Sequence, residues 1–176
     1  PPVAAVMAAK TGPAGEVLSW KARLALPASA REFGARLFGG LAAPAAIDAA
    51  DGHFDPLAVE GAVPPYAVPN LVVQHVPVRI DLPTGRLRGN AHGYTAFFTE
   101  SFIDEIARKL KREPLGFRMG LLGEDLRLAA CLQRVSALAE WNGGNDGSGQ
   151  GLACHRIGEG RIAVVATARR DETGVR

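Results

Sequence analysis

Five stretches of the chain are rich in apolar residues or alternate between apolar and polar positions, which is typical of strands. They are residues 3–9, 17–26, 71–80, 151–157 and 161–169. Glycine-containing turns separate the first two stretches and the last two, so the pattern predicts two β-hairpins. Pro77 lacks a backbone N–H, which favours an edge position or a bulge for the middle strand.

Three consecutive helices are predicted, at residues 95–111, 114–122 and 124–141. The first and third have the 3.6-residue apolar period of amphipathic helices, and Pro114 ends the first and opens the second. In the first stretch the residues expected in the core are Phe98, Phe102, Ile103, Ile106 and Leu110. Glu100 and Asp104 fall beside this face, so we expect them on a solvated or capping surface. The apolar positions of the third stretch are Leu128, Cys131, Leu132, Val135 and Leu138.

The remaining segments are shorter or lack a clear period. A short helix is expected after the first hairpin, capped by Ser29 and with Phe33, Leu37 and Phe38 on one face. Residues 39–69 read as a long connection, and residues 142–150 as a flexible linker rich in small polar residues. Strands and helices are segregated along the chain, which predicts the α+β class. Residues 1–176 are expected to form a single domain or a fragment of a larger subunit.

Composition excludes several classes of function. The chain has 176 residues, of which 47% are hydrophobic and 22% are charged, as in ordinary globular domains. The net charge is only +2 and the basic residues are scattered, which argues against nucleic-acid binding. No apolar run approaches the roughly 20 residues that a membrane helix needs. The chain opens with Pro1-Pro2 and not with Met, which indicates an excised domain or a processed product.

The cysteines and histidines do not form a metal-ligand pattern. Cys131 and Cys154 lack CxxC spacing, and the four histidines are dispersed. We therefore expect no metal site built from protein ligands and no catalytic residue of this kind.

One segment, residues 85–94 (GRLRGNAHGY), has a composition suited to binding an anion; we call it the Arg-Gly loop. Its glycines permit close backbone approach, and free N–H groups at the start of the following helix attract negative charge. Its two arginines can add bidentate contacts. The same composition also occurs in turns that bind nothing, so both interpretations stay open on these features alone.

The surrounding motifs resemble the xanthine dehydrogenase and aldehyde oxidase superfamily. Arg88-Gly89 is followed, twelve residues after the arginine, by Glu100 and then by the runs FIDEIA, REPL and FR (residues 102–118). Upstream, the sequence YAVPN at residues 66–70 is similar to the family's Y-x-I-P-N. AVEGA at residues 58–62, together with His92 in the loop, is most similar to the isoquinoline 1-oxidoreductase beta-subunit branch. The resemblance is best from about residue 59 to residue 122.

This resemblance implies the large, molybdopterin-binding subunit of a molybdenum hydroxylase. Such enzymes insert oxygen from water into a C–H bond of an N-heterocycle or an aldehyde and pass electrons to an iron–sulfur small subunit. The residues implied to lie at the cofactor are Arg88, Gly89, Asn90 and Ala91. Arg88 and Gly89 match the family, whereas Asn90 replaces an aromatic residue and Ala91 replaces a glycine.

Two family motifs are missing from this sequence: a GGxFG-type loop and a C-terminal G-x-G-E segment with the catalytic glutamate. Gly158-Glu159-Gly160 has similar letters but lies at a predicted hairpin turn. The fragment alone is therefore expected to be inactive and to need the remainder of the large subunit. The alternative, favoured by Asn90 and Ala91, is a non-catalytic structural or subunit-contact module derived from that family.

Overall fold

The helices and strands combine into the predicted α+β architecture in a computed structural model that describes residues 1–144 and 149–175. In chain order the described elements are β1 (Ala4–Thr11), β2 (Val17–Leu26), α1 (Ser29–Leu37), α2 (Ala43–Ala50), a 3-10 helix (Pro56–Val59), β3 (Asn70–Pro77), α3 (His92–Lys109), α4 (Pro114–Leu121), α5 (Leu126–Leu138), β4 (Gln150–Ile157), β5 (Gly160–Thr167), β6 (Arg170–Asp171) and β7 (Gly174–Val175). Residues 145–148 of the predicted linker lie outside the described residues.

The chain divides into two compact units. The first unit comprises Pro1–Val63 and Val68–Phe98, and the second comprises Pro64–Ala67 and Thr99–Arg176. The first turns of α3 therefore belong to the first unit and the rest of α3 to the second.

The first unit contains a three-stranded sheet in the order β1-β2-β3. β1 and β2 form the predicted antiparallel hairpin, with Ala4 opposite Ala25. β3 is an edge strand, one of the two alternatives that Pro77 indicated, but it runs parallel to β2, with Leu24 opposite His75. A parallel pair needs a crossover connection, usually helical. Residues 39–69, expected to be a long connection without a clear period, contain two helical elements that the sequence analysis did not predict, α2 and the 3-10 helix.

Alternation along β2 builds the core of the first unit. Trp20, Ala22, Leu24 and Leu26 are buried, because every second side chain of a strand points to the same face. His75 of β3 is buried in the same unit. Its Nδ1 accepts from the backbone N–H of Asp55 (3.1 Å), so its Nε2 donates to the carbonyl of Leu26 (3.0 Å).

The start of α1 differs from the prediction. Ser29 is the first helical residue and not the cap, and the N-cap Ala28 makes no side-chain capping bond. The Asp55 carboxylate takes that role, since its Oδ2 accepts from the N–H groups of Ala30 (2.7 Å) and Arg31 (3.3 Å). The expected apolar face is also wrong at its end, because Leu37 is 59% exposed and Phe38 is 85% exposed.

The second unit packs the rest of α3 with α4, α5 and the β4–β5 hairpin, whose predicted turn at Gly158 is confirmed. Asp125 accepts from the N–H of Leu128 (3.1 Å) and so caps α5. The same carboxylate accepts from Nε of Arg161 on β5 (2.8 Å), which ties the cap to the hairpin. The buried apolar residues of these three helices include Ile103, Ile106, Ala107, Phe117, Leu128 and Leu132.

The buried stripes of α3 and α5 are rotated from the predicted ones. Ile103 and Ile106 are core residues, as expected, whereas Phe98, Phe102 and Leu110 are only half-buried. On α5, Leu138 is exposed. A helical period locates an apolar stripe, but the packing partners decide which residues lie at its centre.

No helix in the described part of the chain is both long enough and apolar enough to cross a membrane.

Candidate functional site

The Arg-Gly loop lines most of a concave pocket of about 280 Å³ in the first unit. Leu57 and the first two residues of α1, Ser29 and Ala30, contribute to the remaining wall. Among the described residues that line this pocket, none is acidic. The pocket therefore has a cationic and uncharged lining.

Arg88 and Gly89 lie at the exposed part of the loop. Within the described chain, the Arg88 guanidinium makes no hydrogen bond or ion pair. Gly89 has φ of 86°, a left-handed conformation that strains other residues, although a Cβ there would meet no atom within 4 Å. The glycine is thus required by the backbone and leaves open space around it.

Both polar atoms of the Asn90 side chain form hydrogen bonds with other side chains of the protein. Its Oδ1 accepts from Nε of Arg86 (2.7 Å), and its Nδ2 donates to Oε2 of Glu60 (3.0 Å). Asn90 also has φ of 47°, a conformation that asparagine tolerates better than most residues. Ala91 is buried. The loop therefore contains all four predicted site residues, with Arg88 and Gly89 exposed and the other two turned into the protein.

Tyr94, the last residue of the Arg-Gly loop, lines the pocket from the first turn of α3. Its hydroxyl donates to the carbonyl of Ala58 (2.6 Å). Burial, assisted by the nearby carboxylates of Asp55 and Glu60, raises the pKa of Tyr94 to about 12. Tyr94 is therefore a neutral hydrogen-bond donor at physiological pH.

A second polar cluster lies in the second unit and centres on Glu100. The carboxylate of Glu100 accepts from Tyr66 Oη (2.7 Å), Arg118 Nε (3.0 Å) and the backbone N–H of Cys154 (2.8 Å). Arg118, which is fully buried, also donates to Asp104 Oδ1 (2.6 Å). The prediction that Glu100 is solvated is wrong, because Arg118 and two further donors compensate its buried charge. Asp104 is half-buried.

The Tyr66 hydroxyl and the Cys154 thiol of the Glu100 cluster both stay protonated near neutral pH. Burial, with the Glu100 charge beside it, raises the pKa of Tyr66 well above its usual value. Burial also raises the pKa of the Cys154 thiol to about 12. Neither group ionises near neutral pH, and both bond within the cluster (Tyr66 Oη to Cys154 Sγ, 3.4 Å). This arrangement links α3, α4 and β4 within the second unit and supplies no nucleophile.

The two cysteines should therefore differ in reactivity. A thiolate is the reactive form, so the buried Cys154 is expected to resist thiol reagents while the half-buried Cys131 reacts. Titration with a chromogenic disulfide should find one reactive thiol in the native protein and two after unfolding. In Cys131→Ser the native signal should disappear. A native Cys131→Ser protein that still reacts rapidly would show that Cys154 is accessible.

The sequence analysis gave no site role to Glu60 and Glu32, which bond to Asn90 inside the loop and to Thr84 directly before it. Glu60 lies in the AVEGA run, which was a signal of its importance. No local pattern could reveal the bond between Glu32 and Thr84, because the two residues are 52 positions apart. In the described part of the chain, no group of three or more His, Cys, Asp or Glu residues could hold a metal ion.

Comparison with known proteins finds similarity to an oxidoreductase subunit. No family model matches the chain. The chain is 33% identical over 91 residues to isoquinoline 1-oxidoreductase subunit beta of Brevundimonas diminuta. That alignment covers 47% of this chain and 12% of the Brevundimonas protein. The similarity agrees with the resemblance predicted from the motifs, and the matched region is a small part of that subunit.

Proposed function

We propose that the chain is a segment of a molybdenum hydroxylase large subunit and that its Arg-Gly loop forms one wall of the molybdopterin site. The observation that carries the proposal is the exposed Arg88 guanidinium, which has no partner among the described residues, at a pocket whose described lining contains no acidic residue. The similarity to isoquinoline 1-oxidoreductase subunit beta supports the family.

The pocket chemistry fits an anionic group such as the phosphate of a pterin cofactor. Arg88 can offer two parallel N–H donors to an anion. Gly93 and Tyr94 lie in the first turn of α3, where backbone N–H groups have no acceptor within the helix. The left-handed Gly89 allows close approach of a ligand to the backbone.

In this proposal the residues of the chain bind and orient, and the chemistry comes from elsewhere. The bound cofactor would supply oxidative hydroxylation of an N-heterocycle or aldehyde, with electrons leaving through the iron–sulfur small subunit. Arg88 would hold the anionic part of the cofactor, and Tyr94 would stay neutral and keep the α3 start in place. The general base would come from the remainder of the large subunit.

A second candidate function is a structural or subunit-contact module without cofactor. Two observations favour it. The polar atoms of the Asn90 side chain are hydrogen-bonded to Arg86 and Glu60, and Ala91 is buried, so neither side chain is free to contact a cofactor.

Replacing Arg88 by alanine in the complete subunit should separate these two functions. Loss of a charge-assisted contact worth about 1.5–3 kcal/mol should lower molybdenum content or turnover roughly tenfold or more. The melting temperature of the cofactor-free protein should hardly change, because Arg88 has no partner in the described chain. Metal analysis beside thermal unfolding provides both readouts.

The matched control is Arg108→Ala, which removes another exposed arginine, near the end of α3. It should leave molybdenum content unchanged. Wild-type subunit that contains no molybdenum, although expressed in a host that makes the cofactor, would refute the hydroxylase proposal and favour the structural module.

A further inference from the structure

The beginning of the Arg-Gly loop is clamped to α1 through Thr84, the residue before Gly85. The Glu32 carboxylate accepts from the backbone N–H of Thr84 (2.8 Å to Oε2) and from its hydroxyl. Arg36 donates from Nε to Glu32 Oε1 (3.1 Å) and from Nη2 to the Thr84 carbonyl. All three polar groups of Thr84 are therefore bound, and both Glu32 and Thr84 are buried. The chain enters the loop from a fixed point.

The end of the loop is held by Glu60. Its carboxylate accepts from Asn90 Nδ2 (3.0 Å), and its backbone carbonyl accepts from the hydroxyl of Thr95 (3.0 Å). Its Oε1 also lies 3.8 Å from His92 Nε2. A Cβ added to the neighbouring Gly61 would stand 2.4 Å from His92 Nδ1, so the segment that carries Glu60 lies directly against the start of α3.

The orientation of the Asn90 amide follows from its partners. Arg86 can only donate and the Glu60 carboxylate can only accept, so Oδ1 faces Arg86 and Nδ2 faces Glu60. Arg86 is therefore held through its Nε, which donates to Asn90. Arg88, two residues later, has no such partner within the described residues.

We infer that Glu32 and Glu60 are positioning residues that fix the two ends of the Arg-Gly loop. Asn90 links Glu60 to Nε of Arg86, so that of the two arginines lining the pocket Arg88 keeps its whole guanidinium available to a ligand. The inference about loop geometry stands on these contacts, whereas the use of Arg88 for an anion rests on the proposed function. Asn90 is then a positioning residue and not a cofactor contact, which accounts for a polar residue at a position where the family has an aromatic one.

A reciprocal exchange of the acid and the amide tests this link. Asn90→Asp places a second carboxylate beside that of Glu60, where Asn90 Nδ2 now lies 3.0 Å from Glu60 Oε2. The double variant Asn90→Asp with Glu60→Gln restores an amide–carboxylate pair in the opposite direction, keeps an acceptor for Arg86 and preserves the net charge. Glu60→Gln alone retains an acceptor for Asn90 Nδ2, so it should behave nearly as wild type.

Amide hydrogen exchange of the 176-residue chain, followed by NMR, reports on the loop directly. The useful probes are the N–H groups of Asn90 and His92, which donate within the loop to the carbonyls of Leu87 and Gly89. Asn90→Asp should raise their exchange rates about tenfold or more, and the double variant should return them close to wild type. Glu32→Gln replaces a carboxylate that accepts several bonds by an amide with one acceptor, so exchange at Thr84 should accelerate similarly. The control Glu105→Gln, at an exposed position, should change none of these rates.

Titration with inorganic pyrophosphate tests anion binding by Arg88 separately from the positioning of the loop. Affinity should fall about tenfold in Arg88→Ala and in Asn90→Asp, and recover in the double variant. Unchanged exchange in Asn90→Asp, or no recovery in the double variant, would overturn the positioning roles even if pyrophosphate binds. If the variants show the expected exchange rates but the wild-type chain does not bind pyrophosphate, the positioning roles are upheld. Only the anion site is then refuted.

Discussion

Replacing Arg118 by methionine is expected to destabilise the second unit by about 3–5 kcal/mol, the usual cost of removing one partner from a buried ion pair. Arg118 is fully buried and donates to both Glu100 and Asp104. Methionine fills a similar volume but leaves the buried Glu100 carboxylate without its cation. Urea unfolding followed by circular dichroism should report the loss as a lower transition midpoint.

The control for this change is Arg127→Met on α5. Arg127 is exposed, and its ion pair with Glu159 is long (3.7 Å) and exposed on both sides. Such pairs contribute little, so the free energy of unfolding should change by less than about 0.5 kcal/mol. Similar midpoints for the two variants would mean that the Glu100 cluster does not stabilise the protein.

In the first unit the largest effect is expected at Asp55, where alanine should cost on the order of 3 kcal/mol. The carboxylate caps α1 through Ala30 and Arg31, and its Oδ1 accepts from the N–H of Leu57 (3.0 Å) at the start of the 3-10 helix. One substitution therefore removes the caps of two helices. Because Ala30 and Leu57 also line the pocket, the pocket should lose its shape along with stability.

Asp81→Ala is the matched control for Asp55→Ala. Asp81 is exposed and pairs with the exposed Arg79, so its removal should change the free energy of unfolding by less than about 0.5 kcal/mol. Asp55→Asn, which keeps one acceptor, should lie between the two alanine variants. Chemical denaturation of the three proteins under one condition makes the comparison. Equal stability of Asp55→Ala and Asp81→Ala would contradict the capping role.

Much of the local structure could be predicted because it depends on neighbours in the sequence. The hairpin of β1 and β2 follows from apolar runs on either side of a glycine-containing turn, and β4 and β5 follow in the same way. Pro114 correctly marked the start of α4. The missed α2 is eight residues long and rich in alanine, so its apolar positions do not stand out from its surface.

At the candidate site, composition alone identified the Arg-Gly loop, and the motifs around it pointed to an oxidoreductase subunit. Composition could not distinguish Arg86 from Arg88, and only the resemblance to a known family singled out Arg88. The distinction depends on Asn90, and the orientation of Asn90 depends on Glu60, which lies 30 residues earlier.

The sequence by itself thus determined the strands of both hairpins, the edge position of β3, the three successive helices and the loop before α3. These features depend on side-chain period, turn residues and proline, which act over a few residues. Tertiary structure alone decided that Glu100 is buried and that Asp55 caps α1. The partners in these contacts are 54 residues apart for Glu100 and Cys154 and 25 residues apart for Asp55 and Ala30. From sequence alone a carboxylate is predicted to lie on the surface, because burying its charge requires hydrogen-bond donors. Here those donors come from distant parts of the chain, so the local pattern does not reveal them.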